Sequence, residues 1–170
     1  SYTLTISDGA ASVTQKITVT ITGTNDAAAI DAAISSGVLT EADTSADGTI
    51  EFSDLDLVDA HSVSVTPAAS GYVGLFSASA TGAVTGSGLG EVSWSFSIDN
   101  SLLAYLADGE TVVQIYSVEI SDDHGGTAAQ DIAITFTGGN DTPTVASAVT
   151  AGVISEDRVL SASGTIAFAD

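Results

Sequence analysis

The chain has 170 residues, of which 2 are Lys or Arg and 22 are Asp or Glu, so its formal net charge is −20. With two cationic side chains it has almost no means of neutralising phosphates, which excludes a nucleic-acid-binding face and docking on an anionic membrane surface. Hydrophobic residues make up 44% of the sequence, which separates the chain from an acidic disordered tail.

Cysteine and methionine are both absent from the sequence. The lack of Cys excludes disulfides, thiolate metal sites and Cys nucleophiles. The missing initiator Met predicts that the sequence is an internal segment of a longer polypeptide. No apolar run approaches the roughly 20 residues that span a bilayer, so we expect no membrane insertion. No signal-peptide pattern opens the chain.

An internal repeat organises the chain. Residues 2–26 align with residues 116–141, and the alignment continues from 37–54 to 152–170. The offset corresponds to a period of about 115 residues. The segments GTND and GGND each end an alternating strand and mark the junctions between repeats. The sequence therefore predicts three parts: residues 1–26 as the C-terminal strands of a preceding repeat, residues 27–141 as one complete β-sandwich repeat, and residues 142–170 as the N-terminal strands of a following repeat.

Within the complete repeat, apolar and polar residues alternate with the period of a β-strand. We predict strands at 28–35, 48–53, 61–66, 71–79, 90–98, 111–121 and 128–137. Between the fifth and sixth strands, Asp99 and Gly109 predict the start and the end of a short helical segment at 99–107, with Leu102, Leu103 and Leu106 as its apolar stripe. Seven short strands in this length indicate an all-β fold, a seven-strand Greek-key β-sandwich of the immunoglobulin or cadherin type. The alternation predicts these residues as its core: Trp94, Phe96, Ile98, Val118, Ile120, Ile132, Ile134 and Phe136.

Several segments taken together resemble the VCBS repeat, a cadherin-like module of very large secreted bacterial proteins that include RTX adhesins. The resemblance rests on GYVGLF at 71–76, WSFSIDN at 94–100, LADGETV at 106–112 and the segment 117–141, which ends in GGND. It covers the whole chain, and the order of these motifs is more specific than any one of them. Two departures, GGND in place of GTND and Ala28 in place of the usual Pro, could loosen the linkers.

The resemblance implies an extracellular, tandemly repeated β-sandwich on the bacterial cell surface, in a protein of cell adhesion and biofilm formation. It also implies type I secretion, adjacent repeats of the same polypeptide as partners, and Ca²⁺ at the joints between repeats.

The acidic residues have a general explanation as a solvated, self-repelling surface. The repeat identifies the acids that both copies retain: Asp8 and Asp122, Asp26 and Asp141, Glu41 and Glu156, Asp54 and Asp170. Because strands alternate in direction, these acids should gather at two ends of the complete repeat. The proximal end, which faces the incoming linker at 23–26, should collect Asn25, Asp26, Asp54, Asp56 and Asp122 around one ion, and the loops at this end also carry Asp59 and Asp123. The distal end, which faces the outgoing linker at 138–141, should collect Glu41, Asp108, Asn140, Asp141 and Asp170, with Glu110 nearby.

Carboxylates gathered at one end repel each other unless a cation lies among them. Ca²⁺ suits these groups because it takes 6–8 oxygen ligands in a tolerant geometry, whereas Mg²⁺ prefers a tighter octahedron. Zn²⁺ has weaker support, because the only nitrogen donors of its usual kind are His61 and His124, and we interpret His124 as a loop histidine without a role. The chain has neither an EF-hand loop nor a glycine-rich nonapeptide, so the Ca²⁺ prediction rests on clustering and on the resemblance.

Three classes of function are compared. The leading one is a structural extender, a Ca²⁺-rigidified spacer in a long cell-surface adhesin. The second is a carbohydrate- or protein-binding module, for which Tyr72 and Tyr105 are the candidate aromatic residues. An enzyme has the least support, because the sequence has no G-x-S-x-G motif and no carboxylate pair isolated in an apolar pocket.

The partial repeats also carry a prediction about partners. Residues 1–26 and 142–170 each present an apolar face and open strand edges, and a two-stranded piece is marginal in water. We expect head-to-tail self-association of the chain through these two segments, or else folding of both onto residues 27–141.

Overall fold

The structure is a computed structural model that describes residues 1–81, 88–157 and 161–169. Their strands are β1 (Tyr2–Ser7), β2 (Ser12–Ile17), β3 (Ala29–Ala33), β4 (Ser36–Thr40), β5 (Ser45–Ser53), β6 (His61–Pro67), β7 (Leu75–Ala80), β8 (Leu89–Ser97), β9 (Thr111–Asp122), β10 (Thr127–Thr137), β11 (Thr144–Ala148) and β12 (Ile166–Ala169). Across these ranges no helix has the length and apolar character needed to cross a bilayer.

Strands β3 to β10 form two four-stranded sheets in a sandwich-like arrangement. One sheet has the order β3-β5-β8-β7 and the other has the order β4-β10-β9-β6. Strand β4 runs parallel to β10, and the other pairs of both sheets are antiparallel. The all-β class that the sequence predicted is therefore confirmed.

The predicted first strand at 28–35 corresponds to β3, and it is followed by a strand that was not predicted, β4, which belongs to the other sheet. Strand β3 pairs with β5, whereas β4 pairs with β10. The chain changes sheet at Ile34 and Ser35, where Ile34 N–H donates to Thr49 O and Ser35 O accepts from Ala133 N. The described part of residues 27–141 thus contains eight strands rather than the predicted seven. Burial of Leu39 explains why the chain changes sheet between β3 and β4, because this change moves the Leu39 side chain into the core.

The predicted core is confirmed, because all eight of the named residues are buried. Trp94 lies over Gly48, where a Cβ atom would come within 2.6 Å of the indole ring. The indole Nε1 donates a hydrogen bond to Ile34 O at 2.8 Å, so the buried ring leaves no polar atom unpaired. The glycine is thus required by the tryptophan that packs on it.

The helical segment predicted at 99–107 was too long. A single 3-10 turn spans Asn100–Leu102, and Asp99 caps it as expected by accepting a hydrogen bond from Ser101 N. Leu103 and Leu106 enter the core, but Leu102 is exposed. The three leucines therefore do not form the predicted apolar stripe, because the chain after Leu102 continues as turns rather than as a helix.

The two partial repeats form separate two-stranded sheets, β1-β2 and β11-β12. Their large apolar side chains, such as Ile6 and Phe168, are exposed, so folding of both ends onto residues 27–141 is not what the structure shows. Strand β2 ends at Ile17, although the alternation of the sequence continues to Ile21.

Candidate metal centre

Three segments meet at the proximal end: the incoming linker, the loop at 54–60 between β5 and β6, and the loop at 123–126 between β9 and β10. The antiparallel register of β6 and β9 places His61 opposite Asp122. The end of β9 therefore lies directly beside the start of β6 in the sheet. This pairing brings the two loops side by side although they lie about 60 residues apart in the sequence.

Three carboxylates are buried together where these loops meet. Asp54, Asp59 and Asp122 are each at most 5% exposed. One carboxylate oxygen from each lies within 4.8 Å of those of the other two. In the described part of the chain, these acids form ion pairs with His61 and His124 alone. The chain's only Lys and Arg are Lys16, which lies in β2, and Arg158, which is outside the described residues.

Asp54 is held by contacts to both of its carboxylate oxygens. Its Oδ1 accepts from Asp56 N at 2.9 Å, and its Oδ2 lies 2.8 Å from His61 Nε2. With Asp54 as a carboxylate, which only accepts, His61 donates this bond from Nε2. His61 is itself buried and packs against Phe52, with ring centroids 5.1 Å apart. His61 therefore fixes the orientation of Asp54, a role that the sequence analysis did not assign.

Asp122 closes its own loop and also contacts the linker. Its Oδ1 accepts from His124 N and Gly126 N, at 2.9 and 2.7 Å. Its Oδ2 accepts from Asn25 Nδ2 at 3.1 Å. Asn25, followed by these backbone amides, holds the pKa of Asp122 below its usual value.

The equivalent residue in the first copy, Asp8, closes the β1-β2 turn in a similar way. Its Oδ1 accepts from Ala10 N and Ala11 N, and these bonds lower the pKa of Asp8. Turn closure alone therefore accounts for an aspartate at both positions. The contact that distinguishes Asp122 is the one between its Oδ2 and the linker.

Asp59 supplies the observation that points most directly to a ligand. Its Oδ2 is buried and has no hydrogen-bond partner, although His124 Nδ1 lies 3.3 Å away. That imidazole nitrogen is closer to Asp123 Oδ1, at 2.8 Å. Asp123 first, and Asp59 second, raise the pKa of His124. His124, which was interpreted as a loop histidine without a role, thus lies beside the cluster in contact with Asp59 and Asp123.

The linker lies directly on this cluster. Asp26 N donates to Asp56 Oδ2 at 2.6 Å. A Cβ atom at Gly126 would come within 2.8 Å of Ala27 Cα and would collide with Asp122 Oδ2. The structure therefore brings together four of the predicted side chains at the proximal end: Asn25, Asp54, Asp56 and Asp122. Asp26 takes part through its backbone amide, which donates to Asp56 Oδ2, and its own side chain is exposed.

The residues of the proximal end fit a hard divalent cation. A buried carboxylate oxygen without a partner is costly, and three close carboxylates repel each other unless a proton or a cation intervenes. Asp54, Asp59 and Asp122 offer oxygen donors, the type that Ca²⁺ prefers. A second grouping, Asp59, Asp123 and His124, adds a nitrogen donor and would also suit Zn²⁺.

The distal end is less closely assembled. Asp108, Asn140 and Asp141 line an open groove of about 350 Å³. Glu41 lies beside it, because its Oε2 is 3.2 Å from the position of a Cβ atom at Gly139. Glu41 Oε1 and Asn100 Oδ1 are buried without hydrogen-bond partners. Asp170, which was predicted to join this end, is outside the described residues.

No protein-family model matches this sequence, and a search of curated proteins finds no match to it. The function is therefore inferred from the geometry of the proximal end.

Proposed function

We propose that residues 27–141 are a Ca²⁺-rigidified extender, a structural spacer module of a long bacterial cell-surface adhesin. The observation that carries the proposal is the hydrogen bond from Asn25 in the linker to Asp122 in the buried carboxylate cluster. A cation bound to that cluster would fix the carboxylates that hold the linker. The orientation of the preceding unit would then depend on Ca²⁺.

Asp54, Asp59 and Asp122 are the proposed primary ligands, and Asn25 and Asp56 adjoin them. Bound Ca²⁺ would neutralise charge among the three carboxylates and would coordinate Asp59 Oδ2, which has no hydrogen-bond donor. His61 keeps Asp54 in place from the protein side. Water and further oxygen atoms would complete the 6–8 ligands that Ca²⁺ takes.

The expected size of the effect is a substantial part of the stability of a domain. Extracellular Ca²⁺ modules bind with Kd values of roughly 10⁻⁴–10⁻³ M. Ligand at about 100 times Kd adds about 2.7 kcal/mol per site, compared with a typical total of about 5–15 kcal/mol. A chain of this type would remain loose at the low free Ca²⁺ of the cytosol and would become rigid after export to the cell surface.

The remaining parts of the proposal have separate support. The sheet orders β3-β5-β8-β7 and β4-β10-β9-β6 support a Greek-key sandwich of the immunoglobulin or cadherin type. The internal repeat and the resemblance to VCBS modules support tandem arrangement in a secreted adhesin.

Calorimetric titration of Ca²⁺ into metal-stripped protein tests the proposal. We expect at least one site with a Kd in the range given above. Asp59→Asn should abolish or strongly weaken that site. Asp131→Asn, which removes the same charge from an exposed position in β10, should leave it intact. Absence of any binding, together with equal thermal stability in Ca²⁺ and in chelator, contradicts the proposal.

A glycan-binding module is the second candidate, and it depends on Tyr105. This ring is exposed and lines the distal groove together with Asp108, Asn140 and Asp141. Tyr72 is not a comparable candidate, because its hydroxyl accepts a hydrogen bond from Ile115 N and its ring packs on Tyr116. A glycan array with the wild type and Tyr105→Ala tests this function. Signals that Tyr105→Ala removes would favour it over a passive spacer.

A further inference from the structure

A second grouping of metal-binding atoms lies beside the three buried carboxylates. Asp59, Asp123 and His124 each offer one ligand atom, and these atoms lie within 4.8 Å of one another. His124 Nδ1 is 2.8 Å from Asp123 Oδ1 and 3.3 Å from Asp59 Oδ2. One imidazole nitrogen therefore faces carboxylate oxygens that come from two different loops.

Main-chain hydrogen bonds fix the two loops that carry these donors. In the loop after β9, Asp122 Oδ1 accepts from His124 N at 2.9 Å, and Asp122 N donates to Gly126 O at 3.1 Å. In the loop after β5, Asp59 N donates to Asp56 O at 3.0 Å. Because each loop is closed by its own hydrogen bonds, the three donors are held near each other by the fold itself.

Asp59 is the member of the grouping that points to a ligand. Its side chain is 4% exposed, and its Oδ2 receives no hydrogen bond. An Nδ1–H group of His124 points in one direction only, and Asp123 Oδ1 is the nearer acceptor. The Asp59 oxygen thus faces the edge of the imidazole ring without receiving its proton. A bound cation would remove the cost of leaving this buried oxygen unpaired.

The spacing and the donor types suit Zn²⁺ and related ions. Zn²⁺ binds imidazole nitrogen and carboxylate oxygen at about 2.0–2.2 Å, so neighbouring ligand atoms of a tetrahedral site lie about 3.4 Å apart. The distance between His124 Nδ1 and Asp59 Oδ2, 3.3 Å, matches this value. Asp123 Oδ1 is closer to Nδ1, and its exposed side chain is free to move outward. An imidazole donor also favours first-row transition metals over Ca²⁺.

The grouping is open to solvent on one side. The side chains of His124 and Asp123 are 56% and 54% exposed, whereas Asp59 is buried behind them. An ion can therefore reach the three donors from solvent, and water can complete its coordination, as it does in zinc sites with three protein ligands. The cluster of Asp54, Asp59 and Asp122 differs in that all three of its members are buried.

We propose that Asp59, Asp123 and His124 form a second metal site, which binds a divalent transition-metal ion of the Zn²⁺ class. The proposal goes beyond the Ca²⁺-rigidified extender and does not rest on it. Asp59 belongs to both groupings, and its carboxylate has two oxygens to offer. The ion joins the loops at 54–60 and 123–126 through bonds that do not involve the linker.

Calorimetric titration of Zn²⁺ into the metal-stripped chain, produced without a histidine tag, tests the proposal. We expect one Zn²⁺ site in the wild type. His124→Gln should weaken Zn²⁺ binding by at least about 100-fold, because loss of a group that only supports a ligand already costs about 10–100-fold. Asp131→Asn, which removes a charge from an exposed position in β10, is the control and should bind Zn²⁺ as the wild type does.

Nuclear magnetic resonance identifies the histidine that binds the ion, because the chain has only two. His61 is buried, with its Nε2 on Asp54. Added Zn²⁺ should therefore shift the ring signals of His124 far more than those of His61. Shifts confined to His61 overturn the proposal. Absence of Zn²⁺ binding in the wild type, or equal affinity in His124→Gln, overturns it as well.

Ca²⁺ titration of the same variant keeps the two sites apart. His124→Gln should retain the Ca²⁺ affinity of the wild type, because the imidazole is not among the oxygen ligands proposed for Ca²⁺. Loss of both ions in this variant would merge the two groupings into one site and overturn the proposal. Failure of the Ca²⁺ proposal has a different signature, which is absence of Ca²⁺ binding in a wild type that still binds Zn²⁺.

Discussion

Asn25 donates a hydrogen bond from Nδ2 to Oδ2 of Asp122, a residue 97 positions further along the chain. The other oxygen of Asp122 is occupied by backbone amides of its own loop. The carboxylate is therefore fixed in orientation, and its Oδ2 faces the linker. Because Asp122 also adjoins Asp54 and Asp59, the position of the linker is coupled to whatever neutralises those charges.

Asp59→Asn should change stability in opposite directions with and without Ca²⁺. In chelator the variant should be more stable than the wild type, because it removes one of three close buried charges. In Ca²⁺ at about 100 times the wild-type Kd, a 100-fold weaker site reduces the added stability from about 2.7 to about 0.4 kcal/mol. Chemical unfolding under both conditions measures the two effects. Asp131→Asn is the control. If Asp59→Asn changes the unfolding free energy in the same direction in chelator and in Ca²⁺, this prediction is wrong.

Gly126→Ala should loosen the joint at the proximal end. The added methyl group would press on Ala27 and on the Asp122 carboxylate, so the loop or the linker must move. Gly23→Ala is a matched control in the linker, since a Cβ atom there meets nothing within 4 Å. Relaxation of ¹⁵N nuclei should show residues 1–22 reorienting more independently of the sandwich in Gly126→Ala alone. Equal relaxation in both variants would show that the linker is not packed on the loop.

His124 should make stability pH-dependent in chelator. Its pKa is raised in the folded state by Asp123 and then by Asp59. The stabilisation is therefore fully present below the unfolded-state value of 6.5 and is lost as the pH rises through the higher folded-state pKa. The difference in unfolding free energy between the wild type and His124→Gln should favour the wild type at pH 5.5 and shrink by pH 8.5. A difference in unfolding free energy that grows with pH would contradict this prediction.

Ile132→Ala should cost roughly 2–5 kcal/mol, because it opens a cavity in the packed core. The repeat provides a control with the same chemistry at the equivalent position, Ile17→Ala. Ile17 is largely exposed in the single chain, so its truncation should cost within about 0.5 kcal/mol in dilute solution. Denaturant unfolding at low protein concentration compares the two. Equal costs would mean that β1-β2 is already covered.

The sequence by itself determined which faces are buried. Period-two alternation is a local property, and it placed Trp94 and Ile134 in the core without any knowledge of the partner strands. The internal repeat predicted the three-part division and identified the pairs of acids, and strand direction predicted the two ends at which those acids should gather. The choice of Asn25, Asp54 and Asp122 as neighbours followed from these local and repetitive features.

Only the tertiary structure decided the details that depend on contacts between distant strands. The position of β4 after the change of sheet depends on Gly37, where a Cβ atom would come within 2.8 Å of Ala46 Cβ and 3.1 Å of Ile134 Cδ1. The roles of Asp59 and His61 depend on the register that sets β6 against β9, and His61 opposite Asp122 is visible only in that register. Alternation specifies the face on which a side chain lies. Pairing between strands specifies its neighbours, because register is fixed by long-range packing and hydrogen bonds rather than by the local sequence.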